Sequence, residues 1–146
     1  MNKVVIKHTF MLTTVQQQRP RATRYGRSIR LYDPKAVKRF KQTVAEEAML
    51  TYRHQPLSGS LAVTLVFYRP LQKSLSKAEK QRRIDGRHLP VVKPDLDNYI
   101  KSFLDALHGI YWQDDALITD IVASKRYGRQ PRIEIEVNEI QEGEDA

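Results

Sequence analysis

Five aspartates stand between positions 95 and 115: Asp95, Asp97, Asp105, Asp114 and Asp115. Asp95 and Asp97 are two positions apart, and Lys101 follows Asp97 by four positions. Carboxylates this close repel each other, and a bound divalent cation relieves that conflict. Hard oxygen donors in a chain with no cysteine and no histidine at ligand spacing suit Mg²⁺, with Mn²⁺ able to substitute, rather than zinc. Such cations support phosphodiester hydrolysis by stabilising the attacking and leaving oxygens. Lys101 is placed to neutralise phosphate charge in the transition state. The same residues also have structural uses. Asp95 can cap a helix, Asp97 and Lys101 can form a surface pair, and Asp114-Asp115 can be a polar turn.

The element that must position them is a helix from Asp95 to His108, stopped by Gly109. Leu96, Ile100, Phe103, Leu104 and Leu107 fall on one face and form its buried stripe. Asp97, Lys101 and Asp105 recur every four residues on another face. Residues two apart on a helix point about 200° apart, so Asp95 is placed at the N-cap, directly after Pro94. Both carboxylates then sit at the positive end of the helix dipole. Asp114 and Asp115 follow the turn at Gly109, which can fold them back toward the helix. His108 reads as a cation at the helix C-terminus, and Tyr111 and Trp112 as packing residues beneath the turn.

The rest of the chain reads as a frame for this segment. Lys3 to His8 is a short strand. Residues 13 to 30 carry Arg19, Arg21, Arg24, Arg27 and Arg30 with no acid among them, and Pro20 and Gly26 break any helix. This reads as a mobile basic loop that contacts phosphates. Asp33 and Pro34 look like an N-cap and first helical residue, opening a helix to Tyr52 with Val37, Phe40, Val44 and Ala48 inward. Leu61 to Tyr68 is apolar on both faces, as an interior strand is. Ser76 to Arg83 is a short helix. Ile118 to Arg126 and Arg132 to Val137 read as an antiparallel hairpin, the second strand alternating Ile133, Ile135 and Val137 with Glu134 and Glu136. The predicted fold is α+β: one domain over residues 1–140, helices on a mixed, mostly antiparallel sheet, in the order β-α-β-(α)-α-β-β. Residues 141–146 form an acidic tail expected to be disordered.

Charge is divided unevenly. The net charge is +8, yet residues 1–93 hold 20 Lys+Arg against 5 Asp+Glu, and residues 94–146 hold 5 against 12. A basic surface of that size attracts a polyanion, whereas the embedded acidic cluster repels one unless cations intervene. No cysteine is present, which excludes disulfides and thiol catalysis. No stretch approaches the roughly 20 apolar residues of a membrane span. Lys7 and His8 interrupt the short apolar Val4-Val5-Ile6, so no secretion signal is read. A cytoplasmic protein is expected.

Lys93-Pro-Asp-Leu-Asp-Asn98, Lys101, Asp105-Ala-Leu107, Gly109 and Asp114-Asp115 together resemble the signature of RusA-family Holliday junction endonucleases, common in phages and prophages. The match is strongest over about residues 90 to 126. His108 stands where that family often has Asn, and Leu117 where Gln is frequent. The resemblance implies a homodimer in a bacterial cell that binds four-way DNA junctions and nicks two strands symmetrically with Mg²⁺, in recombination and repair. It implies Asp95, Asp97 and Asp115 as metal-binding catalytic carboxylates and Lys101 as the essential basic residue. Asp105, Asp114 and Asn98 are then supporting residues, and Lys93 and the five arginines contact DNA. The alternatives are a non-catalytic branched-DNA-binding protein and a nuclease acting on RNA or other branched DNA.

Overall fold

These apolar periodicities become a four-stranded sheet with two long helices closing its core in the computed structural model. It describes residues 3–19, 21–32 and 34–143, the side chains of residues 21, 25 and 30–32 excepted. In chain order the elements are β1 (Lys3–Phe10), β2 (Arg21–Tyr25), β3 (Ser28–Tyr32), α1 (Lys35–Thr51), β4 (Leu61–Pro70), α2 (Lys77–Ile84), α3 (Leu96–Leu107), a 3-10 turn (Asp115–Leu117), β5 (Ile118–Gly128) and β6 (Arg132–Glu139). The sheet order is β1-β6-β4-β5; β6 is antiparallel to both neighbours, and β4 and β5 are parallel. This is the predicted α+β domain with a mixed, mostly antiparallel sheet.

The core lies where the patterns put it. Val37, Phe40, Val44 and Ala48 of α1 and Phe103, Leu104 and Leu107 of α3 are buried against Leu61, Val63, Leu65 and Phe67 of β4 and Ile133, Ile135 and Val137 of β6. Leu96 and Ile100 of the predicted stripe are only partly buried, while Tyr99 is buried with it. Phe103 makes edge-on contacts with Phe10 and Phe67 at 5.3 and 5.9 Å between ring centres. Truncating such a ring costs about 3–5 kcal/mol, so the pose of α3 is firmly set.

Three sequence expectations need correction. β5 and β6 do not form a hairpin; they flank β4 on opposite sides. The crossing is made at Gly128, where a Cβ would come within 2.9 Å of Arg132 and 3.0 Å of Tyr68. Only glycine lets the chain pass this close over the end of β4. Central placement then buries the three apolar residues of β6 better than an edge position would. Second, the basic segment is not a structureless loop. Arg21–Tyr25 and Ser28–Tyr32 pair antiparallel around a two-residue turn, with Gly26 at φ +58°. The residues before this hairpin are docked on α3: Ser102 donates to the Val15 carbonyl at 2.6 Å, and the Gln17 amide to the Asn98 carbonyl at 3.0 Å. Third, Pro34 is the N-cap of α1 rather than its first helical residue. The capping role given to Asp33 lies outside the described residues, as do residues 144–146 of the acidic tail. Glu142, in that tail, accepts a hydrogen bond from Ser60.

α2 starts as predicted, with the Ser76 hydroxyl accepting from the Glu79 amide at 3.1 Å. The Glu79 carboxylate gathers His88, Arg83 and Arg82, each at 2.9–3.1 Å, and so tethers the chain that leads into α3. The His88 hydrogen bond and then the Arg83 one draw its carboxyl from 4.5 down to about 2. A depressed carboxyl stabilises the fold fully above 4.5, and that contribution is lost as pH falls to about 2. A carbon-13 titration of Glu79 should therefore show its midpoint near 2. A midpoint near 4.5 would show that the cluster does not hold in solution.

Candidate active site

The 92–94 backbone, which delivers Asp95, is held from two strands. Lys125 of β5 donates to the carbonyls of Val92 and Pro94 at 3.0 and 2.9 Å. Arg69 of β4 donates to the Lys93 carbonyl at 3.0 Å and to the Tyr99 hydroxyl at 3.1 Å. Asp95 is the N-cap of α3, as expected, but its carboxylate does not cap. It accepts from Lys93 at 2.7 Å, and that hydrogen bond, then the charge of Lys93, lowers its pKa while raising that of Lys93. Lys93, read as a DNA contact, thus sits on a site carboxylate. Asp97 lies in the first helical turn, exposed, and accepts from the Asn98 amide at 3.0 Å. Both carboxylates face solvent at the positive end of α3.

One turn further, Lys101 is exposed and, among the described residues, makes no hydrogen bond or ion pair. It lines an open pocket with Gln17, Gln18, Arg19, Lys41, Asn98 and Asp105. Asp105 is bound by Lys41 at 2.7 Å, which makes it a structural link between α3 and α1. Arg19, Arg24 and Arg27 are exposed, while the side chains of Arg21 and Arg30 lie outside the described residues.

Asp115 is at the other end of the helix. The turn after α3 is strapped down by the Gly109 amide on the Trp112 carbonyl at 2.7 Å and by Leu57, which exchanges backbone hydrogen bonds with Tyr111 and Gln113. Tyr111 and Trp112 are fully buried, as the sequence suggested. The Trp112 indole donates to Asp115 Oδ1 at 2.6 Å, and His108 Nδ1 lies 3.4 Å from the same oxygen. Asp114 caps the 3-10 turn through the Ala116 amide at 2.9 Å. The twelve residues of α3 rise about 18 Å, so one chain holds Asp95 and Asp97 at one end of a helix and Asp115 at the other. Accordingly, among the described residues no group of three or more His, Asp or Glu side chains could hold a metal ion. The Asp95–Asp97 pair fits a hard cation in donor type, since Mg²⁺ is held by one or two carboxylates plus waters and substrate phosphates. The third carboxylate is not within its reach in the same chain.

Sequence reasoning missed Arg69, Lys125 and the Trp112–Asp115 bond. Long cations on strands read equally well as surface, so nothing marked Arg69 and Lys125. The three-residue spacing of Trp112 and Asp115 across a turn was the signal available for the bond.

An α+β domain with an arginine-rich hairpin and a solvent-facing carboxylate pair, followed by a lysine that makes no ion pair among the described residues, has parts that suit a nuclease. Residues 12–138 match the family described as Endodeoxyribonuclease RusA, and the chain belongs to that family. It is also 35% identical over 140 residues to the uncharacterized protein YqaN of Bacillus subtilis (strain 168), an alignment covering 92% of this chain and 96% of that one.

Trp112 is the single tryptophan, so its one indole N–H resonance reports directly on Asp115. Asp115→Asn should shift that resonance. Trp112→Phe should lower unfolding free energy by about 2 kcal/mol, the order of a hydrogen bond to a charged group plus lost ring volume. Urea unfolding measures the second effect. An indole resonance indifferent to Asp115→Asn would dissolve the pairing.

Proposed function

We propose that the protein is an Mg²⁺-dependent endonuclease that binds four-way DNA junctions as a homodimer and nicks two strands symmetrically, in recombination and repair in the bacterial cytoplasm. The observation that carries this reading is the exposed Asp95–Asp97 pair at the helix N-terminus, one turn before an exposed Lys101, in a chain of the RusA family. A polyanion reaches these carboxylates across Arg19, Arg24 and Arg27 on one side and the lysines of α1 on the other. When bound, Mg²⁺, or Mn²⁺ in its place, supplies positive charge for the oxygens that attack and leave phosphorus. Asp95 and Asp97 would hold it, with waters and substrate phosphate completing the set. Lys101 binds a phosphate oxygen and neutralises charge that grows there in the transition state. Lys93 keeps Asp95 ionised below the usual carboxylate range and must yield it when the cation binds.

The homodimer reading gains support from the helix itself. Three carboxylates split between the ends of α3 do not make one site in one chain, whereas two chains related by a two-fold axis can present one end of each to the other. Two such sites match two strands of a junction. The separation of Asp115 is also what favours the second reading, a non-catalytic binder of branched DNA, for a protein that stays monomeric. No helix among the described residues is long and apolar enough to cross a membrane.

A labelled four-way junction tested against linear duplex, with Mg²⁺ or EDTA, decides between them. Paired nicks should appear only on the junction and only with metal. Asp97→Asn should abolish them while leaving junction binding as tight or tighter, because a negative charge near phosphate is removed. Binding without cleavage in Mg²⁺ and Mn²⁺ alike would leave the binder. Replacing Arg19, Arg24 and Arg27 with Ala should reduce the slope of log affinity against log salt by about 0.9 for each lost phosphate contact. An unchanged slope would remove the hairpin from the interface.

A further inference from the structure

We propose that the recess between the end of β4, the first turn of α3 and the chain at residues 13–14 is a pocket for a single-ring base turned out of the bound DNA. That the base comes from DNA rests on the endonuclease reading; the fit of a pyrimidine ring to the recess does not.

The recess has a volume of about 150 Å³, and Thr13, Thr14, Phe67, Arg69, Pro70 and Tyr99 are among the residues that line it. Phe67 and Tyr99 are buried at its floor with ring centres 5.5 Å apart, while Thr13 and Pro70 are exposed at its rim. An apolar cavity of about this size holds one benzene ring. A pyrimidine therefore matches it, and the fused rings of a purine do not.

The polar groups of the recess are short of partners. The Thr14 hydroxyl oxygen is buried and, among the described residues, has no hydrogen-bond partner. A buried hydroxyl left unmet is costly and calls for an occupant. The Tyr99 hydroxyl accepts from Arg69 at 3.1 Å, which leaves its own proton to donate. Arg69 uses one nitrogen for that bond and for the Lys93 carbonyl at 3.0 Å, and its other N–H groups bond nothing among the described residues. No carboxylate among the described residues lines the recess. A bare anion would meet these donors but not the apolar walls. An uncharged ring with carbonyl and ring-nitrogen acceptors along one edge meets both, and a pyrimidine base is such a ring.

Position selects the source of the ring. The chain that carries Thr14 docks on α3 through Val15 and Gln17 and leads into the arginine hairpin. On the other side, Arg69 holds the Lys93 carbonyl two residues before Asp95, and Tyr99 follows Asp95 by one turn. The recess thus lies between the segment that attracts phosphates and the carboxylate pair. A base leaves the stack at least cost where pairing is already interrupted, as at the crossover of a branched duplex. Once held, it fixes the register of its strand against Asp95 and Asp97.

Amide NMR with free nucleosides tests the recess itself. Thymidine and deoxycytidine should move the resonances of Thr13, Thr14 and Tyr99, and deoxyadenosine should not. Thr14→Val, which removes only the hydroxyl, should weaken that binding about fivefold, the size of one neutral hydrogen bond. Thr14→Leu, which fills the space, should abolish it while the Trp112 indole resonance stays in place as the sign of an intact fold. Lining resonances that ignore both pyrimidine nucleosides, that answer deoxyadenosine equally, or that respond as before in both Thr14 variants overturn the pocket and leave it to water. A four-way junction carrying single abasic sites in turn around the crossover tests the source. Wild-type affinity should fall about tenfold at one position, the order of one lost base contact, and Thr14→Leu should show no such position. A flat profile for a wild type that binds the junction overturns the DNA source. If the nucleosides bind and the junction is neither bound nor cut, the pocket stands, and the endonuclease reading falls together with the DNA source.

Discussion

The burial of α3 is the constraint on which the site depends. Phe103 and Leu107 have no exposed surface, and Phe103 is wedged between rings from β1 and β4. A helix fixed this way cannot rotate or slide, so the direction of every polar residue on its outer face is settled by the packing of its inner one. Asp97, Lys101 and Asp105 therefore stand in one row along a backbone that the core holds fixed. The strand cations then act at the N-terminal end of that row: Arg69 and Lys125 bind carbonyls rather than carboxylates, fixing the path of residues 92–94 while leaving Asp95 and Asp97 outside. Rigid support with exposed carboxylates is the arrangement a cation site requires, because flexible ligands spend binding energy on being ordered.

The uneven charge of the chain acquires a spatial meaning in the fold. The arginine-rich hairpin connects to α3 through Gln17 and Val15, whose backbone groups bond Asn98 and Ser102. The most basic segment is thereby anchored next to the most acidic one. Lys41 on Asp105 and Lys93 on Asp95 repeat the theme at single-residue scale. These exposed pairs add little stability. Their effect is on the local field: each lysine offsets the charge of the carboxylate beside it, so the acidic face of α3 repels an approaching anion less.

How much of this the sequence could show depended on whether a signal was periodic or relational. The inward residues of α1, α3 and β6 repeat at 3.6 or 2, so their burial was legible from spacing. The Asp95 N-cap was legible because the helix phase leaves it no other place. Strand partnership was not legible, since Ile133, Ile135 and Val137 look the same whether β6 pairs with β5 or lies between β1 and β4. The deciding residue, Gly128, matters only through its 3.0 Å approach to Tyr68, a contact sixty positions away in the chain. The hairpin at Arg21–Tyr32 was obscured by arginine, which has no strong strand preference, and by a Gly26 read as a breaker rather than as a turn.

The carboxylates show the same limit in its sharpest form. Five aspartates in one short run invite the inference that they are one cluster, because proximity in sequence suggests proximity in space. A helix defeats that inference. It converts twelve residues into about 18 Å, and the Trp112 indole then fixes Asp115 at the far end. The short sequence separation that makes the motif recognisable is thus what prevents one chain from closing it.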